Sequence, residues 1–131
     1  MDARLEAQVW RRARNRCEYC AFPAEFTRVP FQIDHIIAEK HRGKTVLENL
    51  ALSCFFCNTF KGPNLAGVDP KTRKIIRLFH PRRDRWQDHF RWDGAVLEGR
   101  TGVGRTTIEV LRINHEDAVA VRESLLEEGL L

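Results

Sequence analysis

Near the N-terminus, apolar residues recur every fourth position. Leu5, Val9 and Ala13 form a stripe, with Arg4, Arg11, Arg12 and Arg14 mostly on other faces, and the spacing predicts a helix over 3–14. Further on, QIDHII (32–37) reads as a strand, although an Asp-His pair interrupts its apolar run. AEKHRGKTVLEN (38–49) is too polar for a core element and carries Gly43, so it reads as a loop. A second apolar run, Leu50-Ala51-Leu52, follows it, and CNTFKG then reads as a short helix closed by Gly62 and Pro63. The order is strand, loop, strand, helix.

Residues 63–79 read as a loop and a weakly basic segment. HPRRDRWQDHFRW (80–92) interleaves arginines with Trp86, Phe90 and Trp92, which are expected to be the core fastening a C-terminal hairpin to the front of the chain. RWDGAVLEG predicts that hairpin, with Asp93-Gly94 in a two-residue turn. RTTIEVLRI is expected to be helical. A last helix would start at an Asn114 cap, with Asp117 as its N3 partner and Ala118, Val121 and Leu125 in its apolar set. GRTGVGRT (99–106) nearly fits a phosphate-binding loop, with Gly99, Gly104 and Thr106 in place and Arg105 where lysine belongs. About 25 residues remain after it, too few for the parallel sheet such a loop serves, so it reads as a flexible turn.

At 131 residues and 43% hydrophobic, the chain has room for one domain, with no internal repeat. Its charge is uneven: residues 1–62 carry 10 basic against 7 acidic, residues 63–105 carry 10 against 5, and residues 106–131 carry 2 against 6. A basic front and middle suits an anionic partner, although a net charge of +4 is a weak sign of nucleic-acid binding. The N-terminus has an acid at position 2 and no apolar core of a signal peptide, and no segment is apolar for long enough to span a bilayer. The expectation is a cytoplasmic protein with no membrane partner, where cysteines stay reduced.

The four cysteines form two C-x-x-C pairs, Cys17/Cys20 and Cys54/Cys57, with 33 residues between them. Two such knuckles suit a tetrahedral structural Zn²⁺, each presenting two thiolates. Two disulfides, or a redox role, fit a reduced compartment and a doubled motif less well. The spacer exceeds the roughly 15–20 residues of a plain zinc ribbon, so it holds something of its own.

Asp34, His35, Asn49 and Asn58 stand where a strand end, a loop and a helix face converge in a ββα unit. Aspartate and asparagine oxygens suit Mg²⁺, and a neutral histidine can take a proton from water. The pattern DHI, then ENL, then CNTFKG after the second knuckle, with CEYC upstream, resembles the HNH endonuclease family in its zinc-containing form, over about residues 9–62. The resemblance implies an α+β fold: a ββα-metal, treble-clef-like module, with residues 63–131 as an extension packed on it in one domain, 1–131. It implies His35 as general base and Asp34 as ligand of a catalytic Mg²⁺ or Mn²⁺. Asn49 would brace the loop and orient the histidine. Asn58 stands where many members have a last histidine and would be a second ligand. Lys61, on the same helical face, and His41 would meet phosphate; Arg82, Arg83 and Arg85 could line a nucleic-acid path.

Taken singly, Asn49 could be only a turn residue and Asn58 only an exposed helix position, and the arginines of the first helix could be an ordinary solvated face. The implied activity is phosphodiester hydrolysis, with DNA the expected substrate and RNA the other candidate. A monomer would nick, and a homodimer would cut both strands most simply. The competing reading is a zinc module that binds nucleic acid or protein without catalysis.

Overall fold

A computed structural model describes residues 1–131 as a mixed α+β chain that divides into two compact units. The first comprises Met1–Leu65 and His80–Asp84, and the second Ala66–Phe79 and Arg85–Leu131.

The first unit opens with α1 (Ala3–Ala13), capped by the Asp2 carboxylate, which accepts from Leu5 N at 2.8 Å. Val9 of the predicted stripe is fully buried and Leu5 and Ala13 half-buried, so the periodicity located the inner face. Strands β1 (Gln32–His35) and β2 (Leu50–Ser53) pair antiparallel, with Gln32 opposite Ser53 and His35 opposite Leu50. Every residue of β2 is buried. The first knuckle covers the free edge of β2: Glu18 N donates to Leu52 O, and Leu52 N donates to the Glu18 carboxylate, each at 2.8 Å. Helix α2 (Phe55–Lys61) follows and ends at Gly62 in a positive-φ conformation. Arg12 does not simply face water. Its guanidinium donates to Leu47 O and Leu50 O at 2.9 and 2.6 Å, clamping the chain as it enters β2.

The second unit differs from expectation in several places. Residues 63–79 hold a hairpin, β3 (Ala66–Val68) with β4 (Ile75–Arg77), whose three-residue strands are too short to leave an alternation in the sequence. Its turn is built by Asp69, which accepts from Lys71 N and the Thr72 hydroxyl, both at 3.0 Å. After α3 (Trp86–His89), strands β5 (Phe90–Asp93) and β6 (Val96–Gly99) form the expected second hairpin. Asp93 pairs with Val96, so the two loop residues are Gly94 and Ala95 rather than Asp93 and Gly94, with glycine supplying a positive φ at the first.

The expected aromatic core is met only in part: Phe90 is buried, Trp86 half-buried and Trp92 exposed, and their ring contacts with one another lie within the second unit rather than at the front of the chain. Trp86 lies 5.1 Å from Phe90 and 6.0 Å from Trp92 between ring centroids, and Phe79 lies 5.2 Å from Phe90; all four residues belong to the second unit.

Helix α4 (Gly102–Leu111) is the expected helix, and α5 (Glu116–Glu127) is the last. The cap of α5 is His115, whose Nδ1 accepts from Asp117 N; Asn114 instead exchanges two hydrogen bonds with the Leu97 backbone at 2.9 and 2.7 Å. The buried residue of α5 is Arg122, which donates to Ala95 O, Ile113 O and the Asn114 carbonyl, while Val121 is exposed.

GRTGVGRT is not a flexible turn. It caps and starts α4, with the Thr101 hydroxyl accepting from Gly104 N. Its glycines serve packing: a Cβ on Gly104 would lie 2.0 Å from His89 O, and one on Gly99 would lie 2.4 Å from Arg105 N. Arg105 is engaged by Asp69 in a two-pronged pair at 3.0 and 2.9 Å, which holds the Asp69 carboxyl well below its usual range. Gly104→Ala is expected to cost about 1–3 kcal/mol by overpacking against immovable backbone, read as a lower urea midpoint.

Candidate functional site

The two knuckles meet. The Sγ atoms of Cys17, Cys20, Cys54 and Cys57 lie within 4.8 Å of one another, none is in a disulfide, and all but the half-buried Cys54 are buried. Each knuckle turns its own backbone toward sulfur: Cys20 N donates to Cys17 Sγ and Cys57 N to Cys54 Sγ, both at 3.4 Å. Burial works to raise the Cys17 thiol, yet hydrogen bonds from the other three hold it well below its ordinary value. The same sharing pushes Cys20 and Cys57 well up. A full set of four thiolates this close together needs a cation. These cysteines are placed to bind a metal ion.

Alternation along β1 sends Asp34 inward and leaves His35 partly open. Asp34 is only 5% exposed, and its Oδ2 accepts from the Tyr19 hydroxyl at 2.7 Å and from Lys61 Nζ at 3.1 Å, while Oδ1 lies 3.4 Å from the same ammonium. Burial raises the Asp34 carboxyl above its usual range, and the Lys61 charge, then the Tyr19 hydrogen bond, offset part of that rise. Burial and the Asp34 charge push the Tyr19 phenol well up, so it stays a donor.

Lys61 is therefore not a surface residue waiting for phosphate. At 2% exposed it also donates to His35 O at 3.3 Å and Ile36 O at 3.1 Å, tying the C-terminal turn of α2 to the end of β1.

The His35 ring is 20% exposed, with Nε2 placed 2.9 Å from the Thr45 hydroxyl and 3.4 Å from Glu39 Oε1. An oxygen-rich setting at Nε2 favours the tautomer with its proton there and the lone pair on Nδ1. The loop that carries Thr45 and Glu39 is fixed by Asn49. Its Oδ1 accepts from Ile37 N at 2.9 Å, and its Nδ2 donates to Ile37 O at 3.0 Å and Lys44 O at 2.9 Å. Gly43 lets the loop cross here, since a Cβ at that position would sit 1.6 Å from Ile37 O. Asn58 is half-buried on α2.

Among the expected phosphate contacts, His41 and Arg83 are exposed in the first unit and Arg85 is exposed in the second. Arg82 is a correction: its guanidinium pairs with Glu18 and is mostly buried, and desolvation, with the nearby Arg12 charge, lowers it to about 10. Together they fasten residues 80–84 to the first knuckle, so Arg82 holds the fold rather than facing a ligand. Tyr19, Glu39 and Thr45 were not legible as site residues. Tyr19 reads as knuckle filler, and a lone threonine ten residues after a histidine carries no pattern.

Residues 17–64 match the family model described as HNH endonuclease. The chain is 27% identical over 116 residues to the Septu protein PtuB of Bacillus thuringiensis, an alignment covering 87% of this chain and 42% of that protein. The chain thus spans less than half the length of that relative. No solved structure matches it.

The buried Asp34–Lys61 pair yields a stability test. Lys61→Met leaves a carboxylate buried without its cation and is expected to cost about 3–5 kcal/mol in urea unfolding, most of which returns when Asp34→Leu is added.

Proposed function

We propose that the HNH endonuclease domain at residues 17–64 makes this chain a metal-dependent nuclease that hydrolyses phosphodiester bonds of DNA. The observation that carries the reading is the division of labour at the end of β1. His35 presents a partly exposed ring oriented through Thr45, while the adjacent Asp34 is locked inward by Tyr19 and Lys61. A fixed histidine open to water is what activation of a nucleophilic water requires.

In this reading the fold is a ββα-metal, treble-clef-like module, and the four cysteines hold Zn²⁺ as a structural ion. A second divalent ion, Mg²⁺ or Mn²⁺, suits the hard oxygens of Asp34 and Asn58. The fit turns on Asp34. Tyr19 and Lys61 concentrate on Oδ2, and Oδ1 keeps accepting capacity because Lys61 reaches it only at 3.4 Å. Asn58, half-buried on α2, would supply its amide oxygen. When bound, this ion would supply charge stabilisation for the phosphorane-like transition state and the departing 3′-oxygen.

The chain's own residues do the remainder. His35 Nδ1 takes the proton of the attacking water, and Thr45 and Glu39 hold Nε2 and so fix the ring plane. Asn49 keeps residues 37–44 in register, so that the loop carrying those partners does not drift. Lys61 fixes Asp34 and the backbone carbonyl of His35 at once. Products would carry 5′-phosphate and 3′-hydroxyl.

No helix of the chain is long and apolar enough to cross a membrane. His41 and Arg83, exposed in the first unit, remain candidate phosphate contacts, and Arg85 is exposed in the second unit.

Incubation of supercoiled plasmid with the zinc-loaded protein and added Mg²⁺ or Mn²⁺ tests the reading. Nicking is expected to need the added ion and to fall at least a hundredfold in His35→Ala, with an unchanged thermal unfolding profile. Equal nicking by both proteins, or none from a folded wild-type chain, would remove DNA hydrolysis and bring RNA cleavage or metal-free binding forward.

A further inference from the structure

The β3–β4 hairpin lies outside the residues of the HNH match, and its surface is unusual. Residues 66–79 hold four basic side chains and one acid, Asp69. That acid is turned inward, fully buried and paired with Arg105, so it does not neutralise the tip. What the tip shows to water is Lys71, Arg73 and Lys74, all exposed. Beside them Ile75 is 79% exposed, and its cross-strand partner Val68 is also exposed on the same face. Ile75 is the first residue of β4, so with Val68 opposite it this strand end sets a small apolar pair directly beside the three cations.

The tip's backbone is held by a set of hydrogen bonds. Asp69 accepts from Lys71 N and Thr72, Arg73 N donates to Asp69 O at 2.8 Å, and Asp69 N donates to Lys74 O at 2.9 Å. Arg105 anchors the same carboxylate from α4. Three cations thus project from the backbone-fixed turn of a short two-stranded ribbon, so the backbone incurs little further ordering cost on binding. A two-stranded ribbon fits the width of a B-DNA groove, cations meet its phosphates, and an apolar knob touches sugar or base edges.

We infer that the β3–β4 hairpin is a second, sequence-independent DNA-contacting surface, in which Lys71, Arg73 and Lys74 meet backbone phosphates and Ile75 packs against the groove wall. It rests on the reading of DNA as substrate and adds to it a binding element in the second unit.

The test uses the full zinc-loaded chain carrying His35→Ala, without added divalent ion, and a fluorescein-labelled DNA duplex followed by anisotropy over a range of salt. The triple variant Lys71→Gln, Arg73→Gln, Lys74→Gln is expected to raise Kd at least tenfold at about 0.1 M salt. The slope of log K against log salt should fall by about 2 to 3, near 0.9 for each phosphate that the variant no longer neutralises. Ile75→Asn is expected to weaken binding with the slope unchanged. A control of equal charge, Arg4→Gln, Arg11→Gln, Arg28→Gln, should shift Kd less than threefold.

Binding by the triple variant equal to that of its parent would overturn the inference. So would equal losses in the triple variant and the control, or no duplex binding by the parent. Plasmid nicking by the same hairpin variants with His35 intact separates the two claims. A hairpin-dependent slope without nicking from the wild-type chain sinks the nuclease reading alone, and nicking with an unchanged slope sinks the hairpin alone.

Discussion

Everything in the first unit hangs on bringing four thiols within 4.8 Å of one another from knuckles separated by 33 residues. Four sulfurs at that distance, three of them buried, are mutually unfavourable as thiolates, and a bound divalent cation would turn the repulsion into a strong tie in a unit this small. The consequences run outward from it. Glu18, inside the first knuckle, completes the edge of β2 and pairs with Arg82, while Cys54 caps α2 through its own sulfur. The strand pair and helix that carry Asp34, His35 and Asn58 are therefore positioned by the same contacts that close the cysteine cluster.

A second constraint acts beneath the exposed histidine. Lys61 and Tyr19 meet on Asp34, and Lys61 also reaches two backbone carbonyls at the end of β1. A buried ammonium with this many acceptors couples the last turn of α2 to the strand that bears His35, so α2 cannot shift without moving the site. Such a network costs desolvation and contributes geometric specificity. Asn49 does the corresponding work across the loop, exchanging side-chain hydrogen bonds with the Ile37 backbone.

Much of this was legible in the sequence. The four-residue periodicity marked Val9, the doubled C-x-x-C marked the thiol cluster, and the alternation of Asp34 and His35 in a strand gave one inward and one outward side chain. Long-range partners were not legible. A lysine in CNTFKG reads as a surface cation, and only the fold shows that an aspartate 27 residues earlier lies within reach of it. The second unit failed in the same way. Its three-residue strands leave no periodic signal, and its phosphate-loop lookalike has glycines because His89 O and Arg105 N press against them. Asn114 looked like a cap because local sequence could not show that Leu97 would claim both ends of its amide.

The central claim is that a catalytic divalent ion sits beside His35, apart from the thiol cluster. Titration of Mn²⁺ into the zinc-loaded, ¹⁵N-labelled chain, followed by paramagnetic broadening of amide signals, addresses it directly. The account predicts that the signals of Asp34, His35 and Asn58 broaden first, at substoichiometric Mn²⁺. Broadening that begins at the carboxylates of α5 and leaves His35 and Asn58 untouched would contradict it.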